Sequence, residues 1–188
     1  MALNLHLTGR GGNQTVFSTY MKSIKFLAAA LFVTAVVALS ASAQTSLVGL
    51  DGSHVDIQGQ RGKVVILAVG ASWLPLSAKQ AEYTNLLTKK YSGRDVVVYF
   101  VSTDSTVPKS KNFASNEDVK KFATANKLTA TILRDGDGAL TLKKFNIDQI
   151  PSFVILDKSG NMIGQAFGGI DPNFDITIPI SRAVDKIL

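Results

Sequence analysis

Two kinds of hydrophobic pattern follow one another along the chain. Continuous apolar runs rich in β-branched residues occupy residues 63–69 and 95–101, and such runs are typical of strands buried on both faces of a sheet. Ser152–Leu156 is a shorter run of the same kind, and residues 161–167 follow it after a polar turn at residues 157–160. We therefore predict two buried strands and, later in the chain, a strand with a hairpin partner.

The first part of the pattern predicts another hairpin. Residues 47–57 contain two short apolar segments separated by Asp51-Gly52. An Asp-Gly pair between such segments is a strong signal for a tight hairpin turn, because its residues tolerate positive φ. A β-hairpin should therefore precede the first buried strand.

Between the strands, the apolar spacing becomes helical. Residues 75–91 show this spacing and carry lysines near their end, where positive charge suits the helix dipole. Ser115 is a good N-cap residue, and the acidic residues that follow it predict a second helix ending near Asn126. A short helix is predicted over residues 140–145.

A last helix is predicted from Asp171-Pro172 towards Leu188, because Asp is a good cap and Pro suits the first helical position. Pro179 should delay or kink this helix. Strands joined by helices and followed by an antiparallel hairpin predict an α/β fold, in which helices cover both faces of a central mixed sheet.

The chain before this domain has the features of an export signal. Lys22 and Lys25 precede an apolar run at residues 26–39, and Ala41 and Ala43 form an A-x-A end before Gln44. This arrangement predicts a cleavable signal peptide at residues 21–43, and hence a periplasmic or secreted bacterial protein. The alternative is an N-terminal membrane anchor, although spanning needs about 20 apolar residues.

Residues 1–20 are polar and unpatterned. We interpret them as a non-native or disordered extension, with Met21 as the true start of translation. The predicted organisation is therefore an extension at residues 1–20, a signal peptide at residues 21–43 and one domain at residues 44–188.

Composition narrows the possible chemistry. The 188 residues carry a net charge of +6, but only about half of this excess lies after residue 43, and no basic stripe interleaved with aromatics suggests nucleic-acid binding. The chain has no cysteine, so thiolate and disulfide chemistry are excluded. It has only two histidines, and no group of residues has the spacing of a metal site. We expect no metal and no cofactor.

Two segments resemble a known family. Residues 62–67 (GKVVIL) and 71–77 (ASWLPLS) resemble the GKVVLVNFWASWCPPC segment of the TlpA-like thioredoxins, which are exported thiol–disulfide oxidoreductases and neighbours of the AhpC/TSA redoxins. Residues 145–160 are similar to the family's Y-x-V-x-x-x-P-T-x-F-L-I-D-x-x-G segment, and residues 133–138 to its l-x-D-x-x-G segment. The resemblance covers residues 47–188 and implies a thioredoxin-like fold.

The sequence differs from the family pattern at the residues that would carry out the family's chemistry. Leu74 stands at the position of the attacking cysteine and Ser77 at that of the resolving cysteine, while Gln80 replaces a frequent Glu. Leucine has no proton to lose and no redox states. A serine nucleophile needs an adjacent base, and the resemblance places His54, the only histidine after residue 43, away from Ser77. The catalytic positions Leu74 and Ser77 are therefore interpreted as degenerate.

The resemblance also implies a groove. It would be formed by Trp73, Leu74, Pro75 and Leu76 on one side and by Ile150 and Pro151 on the other, with Pro151 as the family's cis-proline. Trp73 is either a wall of the core or an aromatic that faces a ligand. Pro151 either helps to hold an extended substrate or only shapes the start of a strand.

Three functions stay open at this point. The preferred one is a non-catalytic binding or scaffold module that uses the former active-site groove for an extended peptide or a periplasmic protein. The alternatives are a thiol–disulfide oxidoreductase or antioxidant, as the family would imply, and an envelope-associated structural protein. Residues 135–138 (DGDG) are expected to form a tight turn rather than a calcium loop. Residues 103–114 form the longest irregular loop, whose role the sequence does not decide.

Overall fold

The computed structural model of the chain describes residues 45–188. The predicted extension at residues 1–20 and the predicted signal peptide at residues 21–43 lie outside the described residues. Within residues 45–188, no helix is both long enough and apolar enough to cross a membrane.

A seven-stranded mixed sheet, in the order β2-β1-β5-β4-β3-β6-β7, forms the centre of the domain. Strands β3, β4 and β5 run parallel to one another, and the remaining pairs are antiparallel. The strands are β1 (Ser46–Gly49), β2 (His54–Asp56), β3 (Val64–Gly70), β4 (Val96–Ser102), β5 (Thr131–Arg134), β6 (Ser152–Leu156) and β7 (Phe167–Gly168).

The predicted buried strands β3 and β4 are confirmed as neighbours at the centre of the sheet. Every residue of β3 is buried, which agrees with its continuous apolar sequence. The predicted N-terminal hairpin is also confirmed, with β1 and β2 joined through Asp51-Gly52. Gly52 has a φ of +83°, the left-handed conformation that glycine adopts most readily.

Helices lie on both faces of the sheet. Residues 45–188 form the α-helices α1 (Ser77–Lys90), α2 (Asn116–Ala125), α3 (Thr141–Lys144) and α4 (Thr177–Asp185). Side chains of α1, α2 and α4 pack against the face that carries Ile66 and Phe100. The opposite face carries Leu67 and Val101 and is covered by α3 with the segments around it. The α/β thioredoxin-like architecture with a mixed sheet is thus present.

The predicted cap of α2 is confirmed. Ser115 and Asp118 form a reciprocal capping box, in which the Asp118 N–H donates to Ser115 Oγ over 3.2 Å and the Ser115 N–H donates to Asp118 Oδ2 over 3.2 Å. This pair satisfies two N–H groups that have no partner inside the helix.

The sequence prediction missed β5. This strand has only four residues, and its apolar run is ended by Arg134, a charged residue that is buried here. Residues 161–167 were predicted to be one long partner of β6, but only an isolated bridge at Met162 and the two-residue β7 pair with it.

The predicted start of the last helix at Asp171 was wrong. The Asp171 carboxylate accepts a hydrogen bond from the Asn173 N–H over 2.8 Å and so closes a turn. The helix α4 begins at Thr177, and Pro179 then falls in its first turn, where a missing N–H costs no intrahelical bond.

Candidate functional site

The two segments of the predicted groove lie side by side. Val69 of β3 pairs with Ser152 of β6, and neighbouring strands are about 4.8 Å apart. The loop of residues 71–76 begins just after this pair, and Ile150-Pro151 ends just before it. Both therefore lie at the carboxyl end of β3, the edge where open α/β sheets bind ligands.

The two positions that the resemblance aligns with the family's cysteines hold no thiol. Leu74 is half-buried, and its carbonyl accepts a hydrogen bond from the Ser77 N–H over 3.1 Å. Ser77 begins α1 and is fully buried, and its Oγ donates to the carbonyl of Ala71. The serine therefore closes the loop and does not face a ligand.

His54 cannot serve Ser77 as a base. It lies in β2, and three strands separate β2 from β3 in the sheet. At about 4.8 Å per strand this is roughly 19 Å, far beyond hydrogen-bond reach. Among the described residues, no group of three or more His, Cys, Asp or Glu side chains could hold a metal ion.

The groove residues differ in exposure. Trp73 is 51% exposed, and Pro75 is exposed beside it. Leu76 packs against the core on the α1 face of the sheet, whereas Ile150 packs against the core on the α3 face. Trp73, the only tryptophan of the chain, is thus the large side chain that this loop presents to solvent.

Pro151 is buried, and the Ile150–Pro151 peptide bond is cis. Within the described part of the chain, the backbone of Ile150 takes part in no hydrogen bond. Its N–H and C=O thus have no protein partner within residues 45–188.

Gln80 joins α1 to the two strands below the groove. Its Nε2 donates to the carbonyls of Val69 and Ser152 over 3.1 and 3.0 Å. Its Oε1 is buried without a partner in the described structure and lies against Gly70, where an added Cβ would come within 2.1 Å of it. Gly70 is needed here because any side chain would displace Gln80.

A buried carboxylate next to the groove was missed by the sequence analysis. Asp104 is fully buried and accepts hydrogen bonds from the N–H and the hydroxyl of Ser72 and from the hydroxyl of Ser102, the two hydroxyl bonds each being 2.7 Å long. This arrangement fixes the loop residue that precedes Trp73. The available signal was the polar run Ser102-Thr103-Asp104-Ser105, which directly follows a buried strand.

Arg134 extends this network towards β5. It donates to the Ser102 hydroxyl and to the carbonyl of Ala114, each over 2.8 Å. Burial lowers the pKa of the Arg134 guanidinium, and the charge of Asp104 acts in the opposite direction. Arginine stays protonated in proteins, so its buried positive charge lies near Asp104, and both side chains bind the Ser102 hydroxyl.

The sequence matches the Redoxin family model over residues 33–177. The chain belongs to the Redoxin family. In this redoxin, Leu74-Pro75-Leu76-Ser77 stands where the C-x-x-C motif is expected, and no cysteine occurs anywhere in the chain. It therefore lacks the redox dithiol. No match was found among curated proteins.

Solved structures show the same fold. A thioredoxin-like protein from Aeropyrum pernix is 24% identical, with a TM-score of 0.63, and the match covers 85% of this redoxin and 99% of that chain. The exposed lipoprotein thioredoxin of Streptococcus pneumoniae is 25% identical, with a TM-score of 0.58 and coverage of 74% and 99%. A secreted disulfide oxidoreductase of Mycobacterium tuberculosis is 20% identical, with a TM-score of 0.58 and coverage of 76% and 96%.

Proposed function

We propose that this redoxin is an exported, non-catalytic binding module whose former active-site groove holds an extended polypeptide. The proposal rests on three features that occur together at the carboxyl end of β3. The loop with the exposed Trp73 lies beside the cis Ile150–Pro151 segment, while the position of the attacking thiolate holds a leucine.

The absence of catalysis follows from the side chains. Thiol–disulfide exchange needs a thiolate at the helix start, and Leu74 offers no lone pair and no acidic proton. The Ser77 hydroxyl is already bound to the Ala71 carbonyl, and it has no base beside it. The groove therefore retains the means to hold a chain but not to change it covalently.

Polypeptide is the ligand that this groove suits best. The N–H and C=O of Ile150 can pair with an extended chain, as in the addition of a strand to a sheet edge. Trp73 can cover a ligand side chain with a large flat surface, and such aromatic contacts contribute about 0.5–1.5 kcal/mol beyond the buried area.

Export is supported by two observations. Residues 21–43 have the three-part pattern of a signal peptide. Among the structures with the same fold, one belongs to a secreted protein and another to an exposed lipoprotein. Sequencing the amino terminus of the protein from a periplasmic fraction should give Gln44; a chain that keeps residues 21–43 would contradict cleavage.

The binding function can be tested with a defined probe. We suggest a fluorescein-labelled, tryptophan-free peptide of about 12 residues in which leucine and serine alternate, with fluorescence anisotropy as the readout. The variant Leu74→Asp places a charge in the groove, and Leu86→Asp places the same charge at an exposed position about two and a half turns into α1.

The proposal expects the wild-type protein and Leu86→Asp to bind the probe equally well. Leu74→Asp should weaken binding at least about tenfold, because a buried charge without a partner costs several kcal/mol. Equal affinity of the two variants, or no binding by the wild type, would contradict a working groove. Sustained insulin reduction by the wild-type protein would contradict the absence of catalysis.

A further inference from the structure

The loop of residues 103–114 is built into the same end of the sheet as the groove. On one side, the Thr103 N–H and hydroxyl both donate to the carbonyl of Gly70, over 2.7 and 3.0 Å, and Asp104 binds Ser72. On the other side, the Asp137 N–H donates to the Thr103 carbonyl over 3.1 Å, and the Ser105 hydroxyl donates to the Asp137 carboxylate over 3.0 Å. The loops of residues 71–76, 103–114 and 135–140 are thus tied together by hydrogen bonds.

The loop also has a fixed conformation of its own. The Ser105 N–H donates to the carbonyl of Asn112 over 2.9 Å, and the Ala114 N–H donates to the carbonyl of Ser105 over 3.1 Å. These bonds close its base, while a turn from Val107 to Ser110 shapes its tip. The base of the loop therefore lies beside the segment that leads to Trp73, and its tip has a defined turn.

Exposed apolar side chains are concentrated on these three loops. Half of the eight large apolar side chains that are exposed in residues 45–188 lie there, although the loops make up a small part of the domain. They are Trp73, Val107, Phe113 and Leu140. Exposed apolar groups that cluster at one end of a domain indicate an interaction surface.

The exposed charged groups on these loops are two lysines and one carboxylate. Lys109 and Lys111 are exposed on the loop, and neither forms an ion pair within the described residues. The carboxylates of Asp104 and Asp135 at this end are buried and already accept hydrogen bonds. Asp137 is exposed but accepts the Ser105 hydroxyl. Exposed lysines thus outnumber exposed carboxylates on these loops by two to one, and neither lysine is paired with Asp137.

We propose that the polypeptide held by this redoxin carries a large apolar residue flanked by Asp or Glu, and that Lys109 and Lys111 select for these acidic residues. The inference rests on the proposed function, because the same groove receives the chain. A polypeptide fits better than a lipid surface, since an extended backbone offers an N–H and a C=O with the spacing needed to pair with those of Ile150. Charge complementarity of this kind sets partner choice and association rate.

The test uses three labelled peptides that differ only in charge. The first is the neutral leucine–serine probe, and in the other two either glutamate or lysine replaces the serines. Their affinities are measured by anisotropy for the wild-type protein, for Lys109→Glu/Lys111→Glu and for Lys89→Glu/Lys186→Glu. The last variant makes the same change in net charge at two exposed lysines, Lys89 near the end of α1 and Lys186 directly after α4.

We expect the wild type to bind the glutamate probe at least about tenfold more tightly than the lysine probe, and Lys109→Glu/Lys111→Glu to reverse this order. Lys89→Glu/Lys186→Glu should preserve it. If all probes bind equally, or if both double variants act alike, the inference fails while the proposed function stands. If no probe binds, both fail. Preferential binding of the wild type to anionic vesicles, with no binding of the peptides, would assign the surface to membranes and overturn the inference.

Discussion

The Asp104→Asn variant tests whether the buried network holds the groove in place. The side chain keeps its volume, but one of its two acceptor oxygens becomes an amide that can only donate. In the native protein, those oxygens accept bonds from the Ser72 N–H, the Ser72 hydroxyl and the Ser102 hydroxyl. At least one of these donors must lose its acceptor, and the guanidinium of Arg134 loses the nearby negative charge.

The size of the effect follows from these losses. A hydrogen bond to a charged group contributes about 1.5–3 kcal/mol, and a buried donor left without a partner costs about 1–3 kcal/mol. We therefore expect the free energy of unfolding to fall by about 3 kcal/mol. For a domain of this size the midpoint of thermal unfolding should fall by about 6–12 °C.

Urea unfolding monitored by far-UV circular dichroism measures this change. Asp148→Asn, which makes the same substitution at an exposed aspartate, should change the free energy by no more than about 0.5 kcal/mol. Because Ser72 is the neighbour of Trp73, Asp104→Asn should also increase quenching of tryptophan fluorescence by acrylamide under native conditions.

A loss of less than about 1 kcal/mol in Asp104→Asn would refute the reasoning. So would simple additivity with Ser72→Ala, because residues that share a hydrogen bond should show a coupling energy of about 0.5–3 kcal/mol in a double-mutant cycle.

Three further predictions concern other parts of the domain. Leu74→Cys/Ser77→Cys restores a dithiol at the start of α1 and should give insulin reduction driven by dithiothreitol; Ser77→Cys alone should give none. Gly70→Ala places a Cβ 2.1 Å from Gln80 Oε1 and should cost about 2–4 kcal/mol in urea unfolding, and the double variant with Gln80→Ala should fall short of the sum of the single effects. The hydrogen bond from the Ser115 hydroxyl, followed by that from Lys121, lowers the pKa of Asp118 from 3.8. The stability that comes from a lowered pKa is present above the pKa of the unfolded chain and is lost as pH falls through the pKa of the folded protein. Asp118→Asn should therefore be less stable than wild type at neutral pH, and the difference should disappear in acid once the Asp118 carboxylate is protonated in the folded protein. A difference of the same size throughout the acid range would contradict this.

The sequence was sufficient for the elements whose signals are local. The apolar runs of β3 and β4, the Asp51-Gly52 turn and the Ser115 cap each depend on neighbouring residues alone, and all were predicted correctly. Family resemblance placed the cis bond before Pro151.

The features that the sequence analysis did not predict depend on contacts between residues that are far apart in the sequence. Strand β5 was not predicted because the charged Arg134 interrupts its apolar run. Arg134 can be buried because it donates to the Ser102 hydroxyl and to the Ala114 carbonyl, which are 32 and 20 residues away in the sequence. Asp104 and Ser72 are likewise 32 residues apart, so their contact cannot be inferred from spacing. The positions of the former dithiol were predictable by family resemblance, whereas the network that supports them was not.

The hydrogen bond from Ser77 to Ala71 has a consequence for the environment in which the protein works. A dithiol at these positions would be oxidised or reduced according to the redox potential of its compartment, and its binding surface would differ between the two states. A hydroxyl has no such states. The groove should therefore keep one conformation in oxidising and reducing surroundings alike, and without a mixed disulfide the lifetime of any complex is set by its noncovalent dissociation rate alone.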